Sequence, residues 1–111
     1  MSRSLNKVVL IGYLGRTPEV RTTASGRRVA TLSLATSHRW TGRGQEPRER
    51  TEWHRIVVWE PLVDLVGRQL QTGTRLFLEG RIEYRSWESR SGQRRYLTEI
   101  VAERIFPLDT G

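Results

Sequence analysis

Thr51-Glu52-Trp53-His54-Arg55-Ile56-Val57-Val58-Trp59 decides the fold, because its character changes at every second residue. Side chains alternate across a β-strand, so Trp53, Arg55, Val57 and Trp59 share one face while His54, Ile56 and Val58 share the other. The second face suits a core. The first combines two tryptophans with an arginine and suits a ligand. Just beyond Trp59 the period changes. Pro61 suits a first helical position. Leu62, Leu65, Val66 and Leu70 then fall at i, i+3, i+4 and i+8, one apolar stripe of a helix. Gly73 suits the C-terminal stop.

On either side of this strand-helix unit lie further strand-like runs. Val8 to Leu14 is β-branched and apolar and ends near Gly15, and Val29 to Thr36 alternates with period two. Arg75 to Trp87 and Arg95 to Phe106 are two more. Three segments rich in turn formers and charge separate strands: Thr22 to Arg28, Thr41 to Arg50, and Glu88 to Arg94 with its Ser91-Gly92 signal. The second is long for a hairpin connection, and such loops are often functional. Five strands with one helix between the third and the fourth predict an all-β fold with one helix. That is the element order of the OB-fold, a five-stranded Greek-key barrel. The length suits one domain over residues 1–111, with one modest core.

Bulk composition narrows the function. The net charge of +7 favours an anionic partner, nucleic acid before membrane surface. No run of roughly 18 apolar residues exists to span a bilayer, and no basic amphipathic helix is evident, so no membrane partner is expected. The first residues lack the apolar core of a signal peptide. Cysteine is absent, which removes disulfides, iron–sulfur clusters and thiolate metal sites, and a cytoplasmic, nucleoid-associated location is expected. Lys7 is the only lysine, so the positive charge is almost all guanidinium. Guanidinium stacks on bases and binds phosphate in a fork, which an ammonium cannot do.

Each of the four tryptophans sits near arginine: Arg39-Trp40, Trp53-His54-Arg55, Trp59, and Arg85-Ser86-Trp87-Glu88-Ser89-Arg90. Tryptophans commonly fill cores, but four with such neighbours suit single-stranded nucleic acid. Every base offers a π-face and every nucleotide a phosphate. On the fourth strand Arg81, Glu83, Arg85 and Trp87 share a face opposite Gly80, Ile82 and Tyr84. Trp40 stands at the exit of the second strand. Two strands and their loops thus predict one basic track studded with aromatics.

At these residues the chain closely resembles the bacterial single-stranded-DNA-binding protein family, from about Leu5 to Phe106. The resemblance rests on Leu5-Asn6-Lys7-Val8-Val9-Leu10-Ile11-Gly12-Tyr13-Leu14-Gly15, Pro18-Glu19-Val20-Arg21, and Leu34-Ala35-Thr36-Ser37 leading to Trp40. The most specific block is Thr51-Glu52-Trp53-His54-Arg55-Ile56-Val57; Phe77-Leu78-Glu79-Gly80 and Ser91-Gly92-Gln93-Arg94-Arg95-Tyr96 complete it. The resemblance implies an OB-fold, a homotetramer, and DNA wrapped over its surface. It implies base stacking at Trp40, Trp53, Trp59 and Trp87, with Trp59 standing where the family often has phenylalanine. Arg55 and Arg85 match basic residues expected on the DNA path, with Arg21 and Lys7 as further contributors. His54 matches a position at the subunit interface.

One departure concerns partners. The family carries a flexible tail whose acidic-hydrophobic tip recruits replication and repair enzymes, whereas this sequence stops at Leu108-Asp109-Thr110-Gly111. A chain cut after its folded domain and a naturally short variant both fit. In the second case recruitment through that tip is in doubt, while DNA binding is not.

No catalytic motif accompanies these features. Gly12-Tyr13-Leu14-Gly15 lacks the Gly-Lys-Ser/Thr of a P-loop, and no Gly-x-Gly-x-x-Gly follows a strand. His38 and His54 have no metal-ligand spacing. Glutamates such as Glu46, Glu49 and Glu52 read as surface charge balance. The expectation is a non-catalytic protein, with no cofactor or metal, that coats single-stranded DNA in replication, recombination and repair. The alternatives are a tail-less OB-fold adaptor of a replication-restart complex, a nuclease or enzyme subunit, and an RNA binder.

Overall fold

The computed structural model describes residues 3–16 and 18–108. In chain order it contains β1 (Val8–Leu14), β2 (Glu19–Thr22), β3 (Arg28–Thr41), β4 (Pro47–Trp59), α1 (Val63–Gln69), β5 (Arg75–Glu88) and β6 (Arg94–Pro107). The sheet order is β1-β5-β6-β4-β3-β2, and β3 also pairs with β1 through Tyr13↔Ala35 and Leu14↔Leu34. That extra pairing closes a five-stranded barrel, with α1 between β4 and β5: the OB-fold. The one parallel contact among the described residues, Ile56↔Ile100 and Val57↔Val101, joins β4 to β6.

The sixth strand, β2, was not expected. It takes up the edge of β3 at Glu19↔Thr31 to Thr22↔Arg28, just past the point where β1 leaves it. All four of its residues are exposed, so no apolar alternation marks it.

The core follows from strand parity. Leu32 and Leu34 of β3, Ile56 and Val58 of β4, Leu76 and Leu78 of β5, and Ile100, Ala102 and Ile105 of β6 turn inward around Leu14. Fully burying one such branched side chain contributes about 1.5–3 kcal/mol. The helix covers this core with Val63, Val66 and Leu70. Leu65, placed on the buried stripe by sequence spacing, is instead 39% exposed. Pro61 precedes the cap residue Leu62 rather than opening the helix. The reason is a tight turn: the Asp64 and Leu65 N–H groups donate to the Pro61 and Leu62 carbonyls. Gly73 does not stop the helix either. The chain is already extended at Leu70, and Gly73 sits in the next turn, where its N–H donates to the Leu14 carbonyl at 2.8 Å.

The long segment Thr41 to Arg50 is only half loop: Thr41 ends β3, and Pro47 to Arg50 belong to β4. β3 and β4 pair without interruption out to Thr41↔Pro47. Residues 23–27, 42–46 and 89–93 form three turns with the same hydrogen bonds. The first N–H donates to the fifth carbonyl and the fourth N–H to the first carbonyl. The fourth residue takes positive φ each time: Gly26, Gln45 and Gly92. That is the three-residue hairpin connection in which the residue after a type I turn is left-handed.

Candidate nucleic-acid interface

Because β4 and β6 run parallel, the β3–β4 and β5–β6 hairpins extend toward the same end of the barrel. The outward faces of the four strands form one surface. Its floor is apolar: Val29, Val57 and Val101, from β3, β4 and β6, are each about 5–6% exposed yet stand outside the main core. Around them Arg21, Arg55, Arg85, Trp59, Glu83 and Glu99 line a hollow. Polar groups over an apolar floor can take a base edge-on or face-on with its phosphate at the rim.

Trp59 borders this hollow, and the Arg27 guanidinium lies over its ring, 4.4 Å from the centroid. Arg55 stands opposite Ser33 on β3 and Trp53 opposite Ala35. Trp53 is 62% exposed and lines an adjoining hollow with Gly15, Arg16 and Ser33. A third depression, lined by Arg16, Glu19, Thr31, Ser33 and Arg55, connects the two. Trp87 shares the outward parity of Arg85 on β5 and is 45% exposed.

Two arginines from different strands meet one carboxylate. Glu99 of β6 is the one buried charged residue among those described. Its Oε2 accepts from Arg55 Nε at 2.9 Å and from Arg85 Nη2 at 3.1 Å, and its Oε1 pairs with Arg85 Nε at 2.9 Å. Arg81 is neutralised separately by Glu83 at 2.8 Å and Glu103 at 3.2 Å. These carboxylates, Glu83 first, push its guanidinium pKa up.

From sequence the four tryptophans belong to one track; the structure distributes them over two faces. Trp53, Trp59 and Trp87 face outward with Arg21, Arg55 and Arg85. Trp40 has the parity of Leu32 and Leu34 and projects from the other face of the β3–β4 arm. There it stacks on His38, with ring centroids 5.6 Å apart, and shares a hollow with Arg39 and Arg48. His54 lies on that same side, half-buried, its Nε2 2.8 Å from Thr36 Oγ1. Lys7 is not among the arginines of the hollow: it pairs with Glu79, which also accepts from Arg104 at 3.3 Å.

Sequence reasoning did not single out Glu99, Arg27 or Arg16. For Glu99 a signal existed. It shares a face of β6 with Leu97 and Val101, on a strand whose partner carries Arg85, so an acid at a floor position implied a cationic partner. For Arg16 and Arg27, both on connections between strands, no periodicity could assign a face. No group of three or more potential metal-ligating side chains gathers among the described residues, and no helix there is long and apolar enough to cross a membrane.

Comparison with known proteins places these features in context. The model of the single-strand binding protein family matches residues 5–108. A single-stranded DNA-binding protein of Rickettsia typhi is 49% identical over 107 residues, 95% of this chain and 70% of the relative. Single-stranded DNA-binding protein 1 of Chlorobaculum tepidum is 48% identical over 102 residues, 91% of this chain and 63% of that one. Among solved structures, a Plasmodium falciparum SSB complex with ssDNA superposes with a TM-score of 0.88 at 36% identity, covering 98% of this chain and 99% of that one. A deletion mutant of the Thermus aquaticus single-stranded DNA binding protein gives 0.85 at 34% identity, covering 99% of this chain and 53% of that one.

Proposed function

The chain belongs to the single-strand binding protein family, and from that premise we propose how it works: it is a non-catalytic protein that coats single-stranded DNA, stacking bases on tryptophan and placing phosphates on arginine. The observation that carries this reading is the outward face itself. Trp53 and Trp59 border a run of hollows edged by Arg16, Arg21, Arg55 and Arg85, and Trp87 stands exposed on the same outward side of β5 as Arg85. Stacking on an aromatic is worth roughly 1–3 kcal/mol per base and tolerates any sequence. Phosphate neutralisation makes binding fall with salt, by about 0.7 in log K per log salt for each phosphate on a single strand. Such a coat holds a strand open during replication, recombination and repair. Trp40 and Lys7 would serve a strand that continues beyond this face.

The working form we propose is a homotetramer. Val9, Ile11 and Tyr13 of β1 are 55%, 48% and 54% exposed. Beside them Phe77 and Phe106 stack at 4.9 Å, opposite each other in the β5–β6 ladder. An apolar sheet face of this kind needs cover, and a second copy supplies it. His54 belongs to the same proposal as an interface residue. A multimer turns each further DNA contact into an intramolecular one.

Titration of tryptophan fluorescence with oligo-dT at two salt concentrations tests the reading. Strong quenching that weakens at high salt is the expected result. An unchanged emission would mean that the tryptophans do not meet bases.

A further inference from the structure

We propose that Glu99 is the positioning residue of this surface: it clamps Arg55 and Arg85 into one rigid unit of single net charge, so the strand is gripped by aimed N–H groups more than by bulk charge. The inference rests on the reading of the outward face as a DNA path and concerns how that path is built.

Topology makes the clamp possible. Arg55 lies on β4 and Arg85 on β5, and β6 runs between these strands. The carboxylate of the middle strand is therefore the group that can reach both. Arg85 binds it side-on through Nε and Nη2, and Arg55 through Nε alone. A guanidinium has five N–H donors in a fixed plane. Both Nη groups of Arg55 and the Nη1 of Arg85 are not used on Glu99, and the two side chains are still 40% and 55% exposed. They present defined donor directions to a phosphate instead of sweeping through rotamers.

Stability does not explain the acid. Glu99 is 5% exposed and sits beside the valine floor, close to Val57 and Val101. A carboxylate there must be stripped of water, and replacing buried ionic groups with well-packed apolar residues of similar volume is often neutral or stabilising. A leucine would extend the floor. What a leucine cannot do is orient two cations.

The charge count gives the proposal its own signature. Two arginines and one glutamate sum to +1, so the trio draws one phosphate where two free arginines draw two. On a single strand each such contact adds about 0.7 to the salt slope. The clamp thus exchanges electrostatic hold for geometry, which suits a coat that must release its strand.

Glu99→Gln and Glu99→Asp, each titrated with oligo-dT over a range of salt, test it. Glu99→Gln keeps the shape and removes the charge. Its log K against log salt is expected to steepen by about 0.7, with the depth of tryptophan quenching kept. A slope equal to that of the unmodified chain overturns the proposal, because a residue with only a structural role alters stability and affinity without changing the number of phosphates neutralised. Glu99→Asp keeps the charge but is one methylene short of holding both arginines. Its slope is expected to stay, while affinity falls about two- to tenfold for each arginine released. Unaltered affinity at every salt overturns the positioning role, and this variant carries the test if the Gln variant does not fold. Failure of the underlying DNA path would show earlier and differently, as an unmodified chain whose emission ignores oligo-dT.

Discussion

The six-membered ring of the Trp53 indole packs against the position where Gly15 lacks a side chain. A Cβ built on Gly15 would fall inside van der Waals distance of ring atom Cζ3 and 2.9 Å from Cη2. Gly15 is itself pinned, since its N–H donates to the Ser33 carbonyl at 2.8 Å. The ring must therefore yield if the glycine is replaced. Gly15→Ala is expected to keep the fold and weaken oligo-dT binding by about 1–3 kcal/mol, the worth of one stack. The check is a double-mutant cycle with Trp53→Ala. The double variant should bind like Trp53→Ala alone, because both changes remove the same platform; additive losses would separate Gly15 from Trp53.

Trp53→Ala and Trp87→Ala are each expected to weaken oligo-dT binding by roughly 1–3 kcal/mol without disturbing the melt. Trp40 should behave differently. It projects from the opposite face of the β3–β4 arm, so a strand must round the arm to reach it. Trp40→Ala should cost little with an oligonucleotide of roughly 8 bases and more with one several times longer. Equal losses at both lengths would put Trp40 on the same short path as Trp53.

How far these features were legible from sequence depends on which face of each strand meets water. Ile56 and Val58 against Trp53, Arg55 and Trp59 could be sorted because one side of β4 is core. Leu32 and Leu34 mark β3 in the same way. Beyond Thr36 both faces of the β3–β4 arm are solvated, and the arm is laced by pairs such as Arg50 with Glu52 at 2.7 Å and Arg39 with Glu49 at 3.6 Å. With no buried side, the apolar period vanishes and strand reads as loop. The opposite placement of Trp40 and Trp53 was in principle available from parity along β3. It could be used only once Thr41↔Pro47 showed the pairing to run through the supposed loop. Glu99 was legible only in part: its floor position called for a cation, but its partner Arg55 is 44 residues away, across a parallel contact that no local pattern announces.

The three matching turns differ in one respect. The position with positive φ is glycine in two of them and Gln45, at φ 63°, in the third. A side chain in the left-handed region costs about 1–2 kcal/mol, partly offset by the greater chain entropy that glycine adds to the unfolded state. Gln45→Gly is therefore expected to stabilise the fold by about 0.5–1 kcal/mol. For a chain of this size that is a rise of a few degrees in Tm. A lowered Tm would mean that Gln45 makes compensating contacts.

Acid should weaken the contact between Lys7, just before β1, and Glu79 of β5. The Lys7 ammonium hydrogen-bonded to Glu79 is the main cause holding that carboxyl below the usual carboxylate range; burial opposes it, and Arg104 adds to the lowering. A carboxyl depressed by folding favours the folded chain fully above its ordinary pKa. That contribution is lost as pH falls through the depressed value. Lys7→Met removes the largest cause, so the acid-dependent loss should be smaller and should be complete at higher pH. Thermal melts across the acid range, with and without the substitution, check it. Coincident curves would show that Lys7 does not set the behaviour of Glu79.

The exposed sheet face of β1 carries the last expectation. Ile11 stands opposite Phe77, which in turn stands opposite Phe106. The three form an apolar row across β1, β5 and β6, with Arg104 5.8 Å from the centroids of both phenylalanine rings. Ile11 is half-exposed in the single chain and absent from the core cluster. Replacing it should therefore cost the isolated fold little, within about 0.5 kcal/mol for a surface position. If this row is where copies meet, Ile11→Glu puts an unpaired carboxylate into the contact and should reduce the mass seen by light scattering while leaving the circular dichroism spectrum intact. Binding to long oligo-dT should weaken with it, since linked sites act at high effective concentration. A variant that scatters as the unmodified chain does, at the same concentration, would move the subunit contact away from β1.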